Sequence, residues 1–430
     1  MAITGRFVAL LLLGLVPVLV RPSMNTLWLW LLVVLAVGFL DWLLAPRPGL
    51  LAFDRPSVGQ VRQGYPTSTS LVTRNTSRRR ISAWIRDAWQ PTAGATGNRH
   101  RIRLRGGEST TLVTPLRPVR RGDLRAVGVT VRSFGPLGLV ARQQTRAVDG
   151  SVRSLPPFES RKHLPSRLAR LRELDGRAAV RVRGQGTEFD SLREYVRGDD
   201  VRSIDWRASA RNRNVVVRTW QPERDRRVVL VLDTSRTSAG RVEDVPRLDA
   251  AMDAALLLAA LAGRAGDRID FVAGDRRVRS RLRLRASSAV AVTLQDAMSD
   301  LQPIIAEADW STLAGAVQGL GRQRALVVLL TPLEPSAVEE GLLPVLATLT
   351  QHHRLVVASV RDPALEEMAR SRDTLAGVYD AAAAEQALAR RRRTADLLTT
   401  LGVDVLDRSA ADLPPALADH YLMLKSRGLL

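Results

Sequence analysis

Two apolar runs stand at the start of the chain and constrain it more than any other feature. Phe7 to Val20 is bounded by Arg6 and Arg21, and Leu27 to Ala45 carries one charge, Asp41, near its end. At about 1.5 Å per helical residue the first run spans about 21 Å and the second about 28 Å, against a bilayer core of about 30 Å. Trp28, Trp30 and Trp42 lie near the ends of the second run, where amphipathic rings favour the membrane interface. The polar turn between the runs, Arg21 to Thr26, holds no small-residue cleavage pattern. The runs therefore predict a two-helix transmembrane hairpin over residues 1–46; a cleaved signal followed by one span is the alternative. The turn carries only Arg21, whereas the downstream flank holds Arg47, Arg55, Arg62, Arg74, Arg78, Arg79 and Arg80. The positive-inside bias then puts both termini and nearly all of the soluble mass in the cytoplasm, as a two-pass protein of the plasma membrane.

Composition removes several chemistries. The 430 residues include no cysteine and five histidines. That excludes disulfide scaffolds, thiolate metal sites and cysteine nucleophiles. No histidine pair has the spacing that places two ligands on one helix face. The formal charge is +21, almost all of it arginine, with lysine only at Lys162 and Lys425. Arginine in place of lysine is what GC-rich coding gives; the functional reading is attraction to anionic lipid or nucleic acid. No nucleic-acid recognition motif accompanies the charge, so no specific nucleic-acid partner is expected.

Residues 47–150 alternate in short segments punctuated by turn residues, which predicts an all-β, sandwich-like domain. Strands are expected near 58–62, 68–74, 82–86, 99–105, 110–116 and 126–132. In the fourth, Arg99, Arg101, Arg103 and Arg105 alternate with His100, Ile102 and Leu104, so the arginines share one face. That face is either a solvated strand surface or a cationic surface for headgroups or a partner.

Residues 151–226 form a charged segment linking the domains. Its Gly184-x-Gly186 is not a dinucleotide loop, because Phe189 stands where the third glycine belongs. Glu188, Arg193, Glu194, Asp199, Asp200, Arg202, Asp205, Arg207 and Arg211 interleave with Phe189, Tyr195 and Trp206. Such a pattern is costly to bury unless its ions are paired, so the segment reads as a fixed network clamping a loop to a neighbouring domain. The catalytic alternative is a hydrolase using Asp199, Asp200 and Asp205 as acid and base. Carboxylates among so many arginines should be ionised and paired, and no cysteine or nearby histidine supplies a nucleophile–base pair.

The stretch G-x-G-x-E-F-x-x-L-R-x-Y-x-x-G-D-D-x-R-x-I-D-W-x-A-S-A-R resembles the hallmark of the bacterial "domain of unknown function 58" family. The ending Tyr421-Leu-Met-Leu-Lys425-Ser-Arg427-Gly428 and the two N-terminal runs are similar to that family too. The resemblance implies a membrane-anchored protein with a von Willebrand factor A-like domain. It also implies a neighbouring MoxR-type AAA+ ATPase and a transglutaminase-like protein.

From Arg227 onward, buried-strand runs alternate with helical stretches, which predicts a doubly wound α/β domain over 227–430. Its first strand ends in Asp233-Thr234-Ser235-Arg236-Thr237-Ser238. This loop is similar to the start of a metal-ion-dependent adhesion site, with Asp233, Ser235 and Thr237 as oxygen ligands suited to Mg²⁺. The resemblance puts a further hydroxyl at Ser311 or Thr312 and an aspartate after the strand ending at Leu330, for which Asp309 is the substitute the sequence offers. Thr331-Pro332-Leu333-Glu334 stands there instead. Without the second carboxylate the loop is expected to bind a protein partner and not to depend on Mg²⁺; otherwise Asp233 and Ser235 cap the following turn. The run Arg390 to Arg393, after the Ala-rich stretch 381–389, reads as a solvated helix end. Taken together these readings describe a membrane-anchored cytoplasmic scaffold or adaptor, whose partner by resemblance is a MoxR-type ATPase. A basic binder of anionic lipid or nucleic acid is the remaining alternative.

Overall fold

The computed structural model describes residues 2–181, 188–211, 214–221, 226–321 and 323–430. It is a mixed α/β structure with several sheets, and it divides after Leu155 into two units.

The first unit begins with strand β1 (Ala2–Ile3) and helices α1 (Gly5–Leu13), α2 (Leu15–Val20) and α3 (Met24–Leu44). Pro17 has no N–H for the carbonyl of Leu13, and the first apolar run is interrupted there between α1 and α2. Ser23 starts α3 by accepting the Thr26 N–H at its hydroxyl. The 21 residues of α3 make it long and apolar enough to cross a membrane. Its buried residues are Val34, Gly38 and Asp41, one stripe at helical spacing. The Phe7 ring of α1 lies against Gly38, where a side chain would collide with it. Much of the remaining surface of α3, including Leu32, Leu35, Phe39 and Leu43, is exposed, while Trp30, Leu31, Val37 and Trp42 are half-buried.

Nine strands follow: β2 (Leu51–Asp54), β3 (Gln60–Arg62), β4 (Thr67–Asn75), β5 (Ile81–Trp89), β6 (Arg99–Leu104), β7 (Ser109–Leu116), β8 (Gly122–Phe134), β9 (Val140–Arg146) and β10 (Ser151–Leu155). β2, β4 and β7 form one antiparallel sheet; the others and β1 form a second. Leu51, Leu71 and Leu112 of the first sheet share a core with Ile81, Ile85, Ile102, Val129 and Val131 of the second. The period-two reading of β6 is what the side chains do: Ile102 and Leu104 are buried while Arg99, Arg101 and Arg103 are exposed. β1 pairs with β9, and Asp41 at the end of α3 accepts backbone N–H groups of Leu137, Leu139 and Val140 at 2.8, 2.8 and 3.0 Å. The start of α1 and the end of α3 thus meet the same strand.

The second unit opens with α4 (Leu164–Arg181) and a hairpin of β11 (Glu188–Glu194) and β12 (Val216–Gln221) around the short α5 (Trp206–Ser209). Next come β13 (Arg227–Asp233), a small hairpin of β14 (Arg241–Val242) and β15 (Val245–Pro246), α6 (Arg247–Arg264), β16 (Arg268–Gly274), β17 (Val278–Leu284), α7 (Val290–Met298) and α8 (Trp310–Gln318). The chain finishes with β18 (Leu326–Leu330), α9 (Pro335–Ala337), α10 (Leu343–Thr350), β19 (Arg354–Val360), α11 (Ala364–Arg370), α12 (Leu375–Thr400), β20 (Asp404–Arg408) and α13 (Leu413–Ser426). The sheet order is β17-β16-β13-β18-β19-β20, parallel throughout except for β17. β13 is buried on both faces, as central parallel strands are. Val228, Leu230 and Leu232 pack with α6, α7 and α13, whereas Val229 and Val231 pack with α8 and α10.

The reading of Arg390 to Arg393 as a helix end is corrected here. Those residues lie inside α12, which runs on to Thr400. Arg391 falls on the buried stripe with Ala384, Thr394 and Leu398, at spacings of one and two turns. It donates to both carboxylate oxygens of Asp407 at 2.7 Å and to the Ser359 hydroxyl at 2.7 Å. One arginine of the run is therefore a core ion pair tying α12 to β19 and β20.

Candidate functional site

In the order of the six-stranded sheet, β16 and β18 flank β13 and the chain leaves β13 in one direction, then returns on its other side. At such a reversal the loops at the carboxyl ends diverge and leave a crevice. Asp233 closes β13 at that edge and Thr331 follows β18. Asp233 is 1% exposed. Its Oδ1 accepts the Ser235 N–H at 2.7 Å, and its Oδ2 accepts the hydroxyls of Thr237 at 3.1 Å and Thr331 at 2.8 Å. The Ser235 and Thr237 hydroxyls are 3.0 Å apart. No cation is among these partners. Burial pushes the Asp233 carboxyl up, and the hydrogen bonds from Ser235, Thr331 and Thr237 pull against that shift.

Asp233, Ser235, Thr237 and Thr331 line a cleft of about 290 Å³. Trp310, Ala308, Pro332 and Leu342 supply apolar wall, and Glu307 and Glu340 add carboxylates. Glu307 is paired with the exposed Arg236 through a charge-assisted contact of 2.5 Å. The cleft is an open, mildly acidic groove with one aromatic wall.

Ser311 and Thr312 do not line this cleft. Their hydroxyls donate to Asp309 at 2.5 and 2.6 Å, and Asp309 caps α8 through the N–H groups of the same residues. Those bonds pull the Asp309 carboxyl down to about 2, the Ser311 hydroxyl first. The capping tendency of aspartate has won there over a role beside Asp233.

A hard cation such as Mg²⁺ prefers about six oxygens, with carboxylates supplying the charge. Of the carboxylates at the cleft, Asp233 already has its oxygens taken by hydroxyl and N–H donors and Glu307 is paired with Arg236, while Asp309 is spent on its own helix. Among the described residues no group of three or more His, Asp or Glu side chains is gathered to hold a metal. The donor set therefore does not fit tightly held Mg²⁺.

Thr331 is the participant that the sequence reading passed over. The resemblance calls for an aspartate near that position, yet the Thr331 hydroxyl reaches the Asp233 carboxylate from the neighbouring strand. Trp310 was likewise missed, although it follows directly on Asp309.

The charged segment is organised differently from the expected clamp. Gly184 and Gly186 and the side chains of Glu188 and Phe189 lie outside the described residues. Arg193 holds Asp199 through two contacts of 2.8 and 2.6 Å, and Val196 N–H donates to the same carboxylate. Asp200 caps a single turn through the Arg202 N–H. Asp205 caps α5 through the N–H groups of Arg207 and Ala208, and its ion-pair partner is Arg218, not Arg207. Hydrogen bonds from Arg193 hold Asp199 low, and the cap at Ala208 does so for Asp205. All these pairs are local to the hairpin and open to solvent. Trp206 is 66% exposed and Tyr195 is half-buried. The expectation of a network clamped to a neighbouring domain is corrected for the described residues: Asp199 and Asp200 find partners within a few residues and Asp205 pairs with Arg218 across the hairpin, so these carboxylates need no burial. The three aspartates do not converge, which leaves a general acid–base pair among them without support.

The ending is structural. Tyr421, fully buried, donates to Asp267 at 2.5 Å, and Lys425 lies 3.4 Å from the same carboxylate. They pin α13 to the turn before β16.

Residues 191–397 match the family described as "Protein of unknown function DUF58". The match takes in most of the β11–β12 hairpin, the Asp233 loop, the cleft and most of α12. No curated protein matches the chain. Among solved structures the chain is similar to the ASH/PapD-like domain of human CEP192, with 11% identity over 25% of this chain and 89% of that one, TM-score 0.19. It is similar also to alpha-2-macroglobulin of E. coli, with 16% identity over 24% of this chain and 7% of that one, TM-score 0.21. A FixG-related protein from Vibrio parahaemolyticus gives 10% identity over 24% of this chain and 94% of that one, TM-score 0.17. Likenesses this faint bear on neither fold nor role.

Proposed function

We propose that the chain is a membrane-anchored cytoplasmic scaffold that captures a protein partner in the Asp233 cleft. The observation that carries the reading is the position of that cleft: it opens at the carboxyl ends of β13 and β18, where ligands of open α/β sheets bind. The strand order, with an antiparallel edge strand beside a parallel sheet covered on both faces, supports a doubly wound, von Willebrand A-like unit. The exposed apolar surface of α3, far beyond what a water-soluble protein leaves uncovered, supports insertion in a bilayer. The short run of α1 and α2, antiparallel to α3, supports a two-pass hairpin. The partner implied by the family resemblance is a MoxR-type AAA+ ATPase. The local capping and pairing of Asp199, Asp200 and Asp205 favours this binding role over hydrolysis.

The test is capture of that ATPase from detergent-solubilised membranes by the full chain and by Asp233→Ala. Loss of one charged contact in an interface core costs a few kcal/mol, so capture should fall more than tenfold. EDTA should leave wild-type capture unchanged, because the donor set does not need Mg²⁺. Sensitivity to EDTA reversed by Mg²⁺ would restore the metal-dependent alternative. Capture indifferent to both treatments would remove the cleft from the functional account.

A further inference from the structure

The first unit carries a second constellation, built from the loop between β4 and β5 and the loop between β6 and β7. Arg74, Asn75, Thr76, Ser77, Arg78, Gly106 and Gly107 line an open recess of about 560 Å³. Asn75 is its organiser. Fully buried, it donates to the carbonyls of Arg79, Leu104 and Arg105 and accepts the Ser77 N–H and hydroxyl. Gly106 lets the loops touch: a Cβ there would stand 2.7 Å from the Arg78 carbonyl oxygen. Gly107 holds φ at 78°, which favours glycine. The recess is thus held by specific bonds and is not a casual gap between loops.

Its charge is one-sided. Arg74, Arg78, Arg79, Arg80 and Arg105 are exposed and make no ion pair among the described residues. The one acid in the two loops, Glu108, is turned back onto the Arg105 N–H at 2.7 Å. The exposed arginines of β6 continue the stripe from Arg105. Charges that merely guard an edge strand explain β6, but not a glycine-walled recess between two arginines.

Position supplies the second line. Thr76 donates both its N–H and its hydroxyl to the carbonyl of Leu50, at 2.9 and 2.8 Å. Leu50 lies six residues beyond Leu44, where α3 ends, so the chain allows at most about 20 Å between helix end and recess. At that same end Arg142 stacks over Trp42 and donates to its carbonyl, and Arg146 donates to the carbonyl of Leu51.

From these observations we infer that the recess binds the phosphate of an anionic phospholipid headgroup at the cytoplasmic face. The inference rests on the reading of α3 as a membrane span. Arg74 and Arg78 would contact the phosphate oxygens, in the manner in which guanidinium groups meet phosphate. Arg79 and Arg80 add attraction toward the anionic leaflet.

The test uses the full chain in an uncharged detergent, with short-chain phosphatidylglycerol as probe, phosphatidylcholine as neutral control and lipid retention read by native mass spectrometry. The wild type should retain phosphatidylglycerol over phosphatidylcholine. R74Q/R78Q should retain it roughly thirtyfold less, taking the usual gain per basic residue beside an anionic surface. R197Q/R202Q, charge-matched on the β11–β12 hairpin, should retain it as the wild type does. Equal losses in the two double variants would mean a diffuse field and overturn the site. Equal retention of both lipids would overturn it as well. Inorganic phosphate binding as tightly as phosphatidylglycerol would assign a free anion and overturn the lipid source. Carbonate extraction of wild-type membranes reports the anchoring separately, so a failed span is not mistaken for a failed recess.

Discussion

Asp233 shows how far a single residue can be read. An aspartate at the end of a β-branched apolar run announces a strand that stops at a polar edge, and its spacing to Ser235 and Thr237 announces a turn. What the local sequence does not contain is Thr331, because only the register of β13 with β18 brings the two side chains together across nearly a hundred positions. Ser311 and Thr312 failed for the opposite reason: a local partner, Asp309, claims their hydroxyls before any distant one can. The Thr331 bond is testable. Thr331→Val keeps the volume, so no cavity forms, yet it removes one of the donors to a buried carboxylate. The expected loss is about 1–3 kcal/mol of stability, the usual range for stripping a partner from a buried polar group. Thermal unfolding of the full chain in detergent reads it, and an unchanged midpoint would show that the hydroxyl does not support Asp233.

At the level of elements, β19 (Arg354–Val360) and α6 (Arg247–Arg264) are legible in the sequence because their apolar patterns are strong. β17 gives no strong apolar signal, because arginines alternate through it and it packs on one side only, as an exposed antiparallel edge. β9 was missed for a like reason, its polar half facing solvent. α12 was cut short at its arginines, whose burial depends on Asp407 of a strand still to come. On α6, Asp253 accepts the N–H and hydroxyl of Ser160. Burial raises its pKa to about 6, against the pull of those bonds. The folded state therefore holds a proton that the unfolded chain has released between pH 4 and 6. Stability falls as pH rises through that window and is level above it, by about 2 kcal/mol for a half-buried group. Asp253→Asn should lack this step, so variant and wild type should diverge from pH 4 to 7 in urea unfolding. Parallel curves would show that Asp253 does not carry the proton.

For the whole molecule, the deciding imbalance is arginine against apolar surface at one end. α3 exposes Leu32, Leu35, Phe39 and Leu43 outside one buried stripe, and so much apolar helix surface has no favourable place in water. α1 with α2 returns antiparallel to it, and both outer ends meet β9. If both helices insert, the turn at Arg21 faces one side of the membrane and everything after Pro46 the other. Arg47, Arg74, Arg78, Arg79 and Arg80 crowd the second side, and moving them across a bilayer is disfavoured. Added protease should therefore leave the region after Pro46 intact in sealed spheroplasts and digest it once they are lysed, with the same fragments detected by an antibody to the C-terminus. Digestion without lysis would overturn the cytoplasmic placement, and with it the access of a cytoplasmic ATPase to the Asp233 cleft.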